Sequence, residues 1–254
     1  MRFWAARRAA WFFRALAGVA FFCALALPAS AYRVVPLTIE LAPSGRNAQG
    51  SFRVINDGDQ AIAIQVSIAK RTIAEDGTDG TSPTGDEFVV FPPQMVLRPG
   101  QSQAVRVQWK GEANPASELP YRIVTEQLPI NLQRERTGGA QVALLLRYEG
   151  TLYIVPEGAK AAIGVQDARA ETGPDGQRRL SVLVANTGSK HAILGNLKVT
   201  VQGGGQTVVL EGEQATGMAG ANVLAGARRR FTIPLPATIP AGPVQVGLNF
   251  EELL

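Results

Sequence analysis

From Ser51 onward, apolar and polar residues alternate in short runs. Ser51-Phe52-Arg53-Val54-Ile55 leads into the turn sequence Asn56-Asp57-Gly58, and Ile62, Ile64, Val66 and Ile68 follow at a spacing of two. Further on, Val105, Val107 and Trp109 alternate with Arg106, Gln108 and Lys110. A period of two puts one set of side chains on each face of an extended chain, so these runs predict strands with one face buried. The punctuation agrees. Phe88-Val89-Val90-Phe91 stops at Pro92-Pro93, and Leu97-Arg98-Pro99-Gly100 places Pro and Gly where a tight turn uses them. No segment beyond Ala31 carries the period of a long amphipathic helix. The expected class is all-β.

The pattern repeats. Val54-Ile55-Asn56-Asp57-Gly58 is matched by Val184-Ala185-Asn186-Thr187-Gly188, each a strand ending in Asn-x-Gly, and the two Asn lie 130 residues apart. Leu97 and Leu224, each ahead of a Gly-containing turn and another alternating strand, follow their Asn by 41 and 38 residues. Two sandwich domains in tandem would give this rhythm. The long apolar run ending at Pro156-Glu157-Gly158 marks the expected boundary, giving domains over 32–157 and 158–254.

Residues 1–31 belong to neither domain. Arg2, Arg7, Arg8 and Arg14 precede the apolar run Leu16–Leu27, and Ala29-Ser30-Ala31 supplies the small residues of a cleavage site. This is the pattern of a cleavable export signal, too short to remain as a stable membrane anchor. It also revises the charge. The chain of 254 residues has 25 Lys and Arg against 21 Asp and Glu, but four of the Arg lie in the signal, so the rest is neutral. Nucleic acid is therefore not an expected partner. The single Cys, Cys23, also lies in the signal, so the mature chain has no thiol chemistry and no disulfides.

Candidate chemistry is sparse. His191 is the only His, no Gly-x-Ser-x-Gly elbow occurs, and no metal site or cofactor is expected. Glu75-Asp76-Gly77-Thr78-Asp79-Gly80 through Gly85 lacks the spacing of a calcium loop and predicts a solvated hairpin loop. Arg228-Arg229-Arg230 predicts a solvated strand end. A carbohydrate-active enzyme with carboxylates from separate strands would need a pair that nothing singles out. A secreted structural or adhesive β-sandwich is the other alternative. The expected protein is not an enzyme.

One segment stands apart. Gln141 to Val155 is long for a single strand, with Val142, Leu144, Leu146 and Tyr148 on one parity and Ala143, Leu145, Arg147 and Glu149 on the other. The polar, Gly-ended stretch Asn131–Ala140 before it predicts a surface loop. A central strand buried on both faces would read this way. So would an apolar edge left open, which invites a strand from another chain.

At these residues the chain resembles the periplasmic chaperones of the chaperone–usher pilus pathway. The resemblance rests on Val54-Ile55-Asn56-Asp57, Phe88–Pro93, Leu97–Ser102, Val105-Arg106-Val107, Leu119–Arg122, Glu126–Pro129, the run Gln141–Pro156 and Asn186–Ala192, in that order. It implies two immunoglobulin-like sandwiches set at an angle, a periplasmic location, and pilus or fimbrial subunits and an outer-membrane usher as partners. It further implies that Val142, Leu144, Leu146 and Tyr148 form a subunit-binding strand that completes the subunit's own fold. The family commonly grips the subunit's terminal carboxylate with an Arg on the first strand and a Lys on the last strand of domain one. Here Thr151 stands at the Lys position and no Arg lies around Ile39 or Glu40. Arg122 or Arg147 is the expected substitute, since a guanidinium grips a carboxylate with two parallel bonds.

Overall fold

The computed structural model describes residues 32–129 and 144–252. The export signal expected over 1–31, the loop expected over 131–140 and the strand residue Val142 lie outside the described residues. The first sandwich is built from β1 (Tyr32–Val35), β2 (Thr38–Leu41), β3 (Gln49–Asn56), β4 (Ile62–Ile73), β5 (Asp79–Pro83), β6 (Phe88–Phe91), β7 (Gln94–Leu97), β8 (Ser102–Trp109), β9 (Leu119–Gln127) and β10 (Arg147–Ile154). The second holds β11 (Ile163–Thr172), β12 (Arg178–Asn186), β13 (Ala192–Gly203), β14 (Gln206–Glu211), β15 (Asn222–Val223), β16 (Arg228–Pro234), β17 (Gly242–Pro243) and β18 (Gln245–Glu252).

In the first sandwich one sheet has the order β1-β3-β8-β6, and the facing one β2-β10-β9-β4-β5, with β7 also on β4. Alternation decides which side chains meet between them. Phe52, Val54, Val105, Val107 and Trp109 are all buried there, with Ile64, Val66, Ile68, Tyr121, Ile123, Leu152 and Ile154 from the sheet opposite. The first stretch of chain serves both sheets: β1 pairs with β3, and after Val35-Pro36-Leu37 the chain crosses over and runs parallel to β10 as β2. Pro36 has no N–H to extend either ladder, which suits it to the crossing.

The second sandwich sets β16-β12-β11-β17 against a sheet centred on β13, which pairs with β14, β15 and β18. Its core gathers Leu180, Val182, Val184, Leu194, Val199, Val201 and Phe231. The sequence repeat has a structural meaning here. Asn56 Nδ2 donates to Gln60 O (2.7 Å) and Leu97 O (3.0 Å) while its Oδ1 accepts from Gly58 N–H (3.0 Å). Asn186 does the same with Lys190 O (2.7 Å), Val223 O (3.1 Å) and Gly188 N–H (3.0 Å). Each buried amide closes its own turn and ties it to a distant strand, so both domains use one device in equivalent places.

Candidate functional site

Two features lie on the sheet of β10: the half-paired start of that strand and a group of guanidinium side chains on the sheet's outer face.

Along β10 one side is filled and the other only half filled. Arg147 to Ile154 pair antiparallel with β9 throughout, whereas β2 joins from the other side only at Thr151. Gln127 N–H donates to Leu146 O (2.9 Å), so Leu146, Tyr148 and Gly150 direct their backbone groups at β9. Arg147 and Glu149 direct theirs the other way, where no described strand meets them. The lateral partner arrives at Thr151, whose N–H donates to Leu37 O (2.6 Å). Gly150 makes this junction possible, because a Cβ there would lie 2.8 Å from the same carbonyl oxygen.

The four strand residues expected from the sequence are not placed alike. Val142 lies outside the described residues. Leu144 is 74% exposed, and Leu145 beside it is exposed as well. Leu146 and Tyr148 are half-buried against the rim of their own core, and the Tyr148 ring meets Tyr32 edge-on at 4.7 Å. The strand also starts later than the apolar run suggests, at Arg147. β9 ends at Gln127, opposite Leu146, so among the described residues Leu144 and Leu145 have no ladder to join.

Arg122 and Arg147, the two candidate anchors, differ sharply. Arg147 lies on the surface, held by Glu126 (2.9 Å) and Glu149 (2.9 Å). Arg122 projects from β9 beside Thr151 and is only 15% exposed. Its Nη1 donates to Thr151 Oγ1 (3.0 Å), its Nη2 donates to Asp79, and its buried Nε has no hydrogen-bond partner. Arg71, from β4, is 8% exposed and pairs with Asp79 through Nε (3.0 Å to Oδ2) and Nη2 (2.6 Å). Burial pushes the Asp79 carboxyl upward, but the hydrogen bonds and charge of Arg71 and then Arg122 outweigh it and hold it below the usual range. Arg71 Nη1 also reaches the Tyr153 hydroxyl (3.4 Å), to which Asn222 of the second domain donates at 2.7 Å.

Two expectations are corrected here. Residues 75–85 belong to a mostly exposed hairpin, as expected, but not to a loop throughout: Asp79–Pro83 are β5, paired with β4, and the turn before it docks on the second domain. Arg230 N–H donates to Glu75 O (2.7 Å) and its Nε to Glu75 Oε1 (3.0 Å). Nor is Arg228–Arg230 a solvated strand end, because the Arg229 guanidinium packs over Gly77. A Cβ on Gly77 would lie 2.4 Å from Arg229 Nη2, so the guanidinium would have to move, and the backbone φ of +93° there demands Gly. Arg229 also lies over the Phe231 ring at 4.9 Å and donates to Asn222 O (2.9 Å). Burial lowers its affinity for the proton, with Arg71 adding to the effect.

A second contact closes the domains on each other. Glu118, buried in the first domain, receives His191 Nδ1–H of the second at 2.8 Å, and Glu118 N–H donates to Ser189 O (2.8 Å). The Tyr153 ring stacks on His191 at 4.0 Å with planes 12° apart. His191 is thus a structural residue. Sequence reading missed Arg71, Asp79 and Glu118, whose partners lie far along the chain; only the place of Arg71 at the end of an alternating run was visible beforehand. Among the described residues no group of three or more His, Cys, Asp or Glu could hold a metal ion.

Two β-sandwiches held together by buried side-chain pairs, the first with a last strand half-paired among the described residues, define a two-domain all-β class. The model of the pili and flagellar-assembly chaperone family, PapD N-terminal domain, matches residues 35–160. Over residues 35–160 the chain matches the PapD-like, non-enzymatic chaperones of the chaperone–usher pathway. No curated protein sequence matches it. Among solved structures it resembles the CsuC–CsuE chaperone–tip adhesion subunit complex of Acinetobacter baumannii at 18% identity and TM-score 0.55, covering 85% of this chain and 98% of that one. It is similar to the class 5 fimbriae chaperone CfaA at 12% identity and TM-score 0.54, covering 87% and 100%. The SafA pilin–SafB chaperone complex of Salmonella enterica matches at 20% identity and TM-score 0.51, covering 84% and 87%. These likenesses establish the shared fold.

Proposed function

We propose that this protein is a periplasmic chaperone that stabilises pilus or fimbrial subunits by adding its strand 142–148 to their open sandwich, and delivers them to an outer-membrane usher. The observation that carries the reading is the half-open edge of β10. Arg147 and Glu149 offer backbone groups to an incoming strand just where β2 leaves off, and the exposed Leu144 extends the same line. Val142, Leu144 and Leu146 would enter the subunit's groove, each contributing roughly 1.5–3 kcal/mol on full burial. Tyr148 sits at the root of this strand, where its contact with Tyr32 would brace the donated part against the chaperone's own core.

Arg122, rather than Arg147, is the proposed carboxylate anchor. It lies next to Thr151, with an unused Nε–H. Arg147 is half-exposed and engaged by two surface carboxylates, Glu126 and Glu149, the second of which it shares with Arg122.

The test is recovery of partners from the native envelope. Affinity-tagged protein isolated from a periplasmic extract should carry immunoglobulin-like fibre subunits, identified by mass spectrometry. Leu144→Glu should lose them while melting within about 1 kcal/mol of the parent, as expected for an exposed position. Equal recovery by the variant would refute strand donation through this segment.

A further inference from the structure

We infer that Asp79 is an internal, exchangeable occupant of the carboxylate anchor, and that an incoming carboxylate displaces it from Arg122. This deepens the reading above and rests on it. Asp79 shares its one carboxylate unequally between the two guanidiniums. On Arg71, Asp79 engages the Nε/Nη2 edge, Nε lying 3.2 Å from Oδ1 and 3.0 Å from Oδ2 and Nη2 2.6 Å from Oδ2. On Arg122 it meets Nη2 alone and leaves the adjoining Nε without a hydrogen bond. The nearest other carboxylate, Glu149, is 3.9 Å from that Nε and spends its closer contact on Arg147. Arg122 therefore presents a half-used bidentate edge.

An incoming carboxylate takes Nε and Nη2 together, a fork that Asp79 cannot form on Arg122 while it holds Arg71. Accessibility agrees. Asp79 is 35% exposed above two guanidiniums that are 8% and 15% exposed, so it lies on the solvent side, along the route an outside carboxylate uses. It is also the first residue of β5, directly after the turn that carries Gly77. Charge explains why something must occupy the site in the free protein: Arg71 and Arg122 share Asp79, with Arg229 close enough to Arg71 for mutual repulsion. Asp79 holds the two guanidiniums together until a better-fitting carboxylate arrives.

The test uses the full mature chain and N-acetylglycine, which carries one peptide group and one terminal carboxylate, with N-acetylglycinamide as control. Binding is followed through the Arg122 Nε–H resonance by NMR at low salt. Asp79→Asn should bind N-acetylglycine at least 5-fold more tightly than the parent, and the amide should shift nothing. Asp79→Ser provides the same readout should the Asn variant fold poorly. Unchanged or weaker binding in these variants, or no binding by any of them, overturns the inference, since Asp79 would then be a fixed support. Arg122→Gln, followed through the backbone amide shifts of its β9 neighbours Ile123 and Tyr121, reports separately: if it binds as well as the parent, the anchor itself has been misplaced.

Discussion

Removing the Glu118 carboxylate tests how the two domains hold each other. In Glu118→Ala, His191 loses the group that its Nδ1 meets at 2.8 Å, in an interface where the Glu118 side chain is 1% exposed. Water does not replace the lost partner there without opening the contact. Breaking one side of a buried pair costs about 3–5 kcal/mol. For a chain of this size each kcal/mol corresponds to about 2–4 °C, so Tm should fall by about 6–20 °C. The neighbours localise the damage: the Tyr153 ring loses the fixed orientation of its stacked imidazole, and the Glu118 N–H to Ser189 O bond loses its shield. Calorimetry should therefore show the single transition splitting into two, with proteolysis accelerated in the connection around Pro156–Ala162. Glu118→Gln keeps one acceptor oxygen for His191 and should lose less than half as much. A Glu118→Ala protein that melts in one transition within about 2 °C of the parent would refute the argument that this pair couples the domains.

Two further outcomes follow from the described contacts. Asn56→Ala removes three hydrogen bonds at a buried turn and Asn186→Ala four, and each should cost about 2–4 kcal/mol by denaturant titration, similar costs at two sites 130 residues apart. Burial raises the hydroxyl pKa of Tyr32 and Tyr153, and burial with the nearby charge of Glu87 pushes Tyr121 up to about 12. The unfolded chain ionises these groups near pH 10 while the folded chain keeps them neutral, so stability should decline as pH rises from about 10 toward 12. An ultraviolet titration in which all four tyrosines ionise together near pH 10 in the folded protein would contradict this.

The sandwiches were legible because half-buried strands write their burial into every second residue. Val105, Val107 and Trp109 read as inward and are inward. The Asn-x-Gly repeat was visible too, although sequence marked only a turn where the structure has a three-way clasp. The site was legible in unequal parts. Its strand announced itself through apolar residues in an unusual place, yet where the ladder begins depended on the end of β9, which the segment itself does not encode. The guanidinium cluster was hidden for a different reason. Asp79 sits in a polar stretch rich in Gly and Thr, a composition equally suited to a solvated loop and to a hairpin docked on another domain. Arg71 and Tyr153, or Glu118 and His191, meet only after the chain has returned from far away, and no local pattern records that encounter.

The crossover at Val35-Pro36-Leu37 has a consequence for measurement along β10. Since β2 claims the strand's flank from Thr151 onward, any foreign chain zipping along it meets a fixed stop there. From that stop back to Leu144 is seven residues, roughly 23 Å of extended backbone. The fold thus carries a built-in ruler, zeroed beside Arg122, and a guest longer or shorter by one residue would present the wrong face to every position along it.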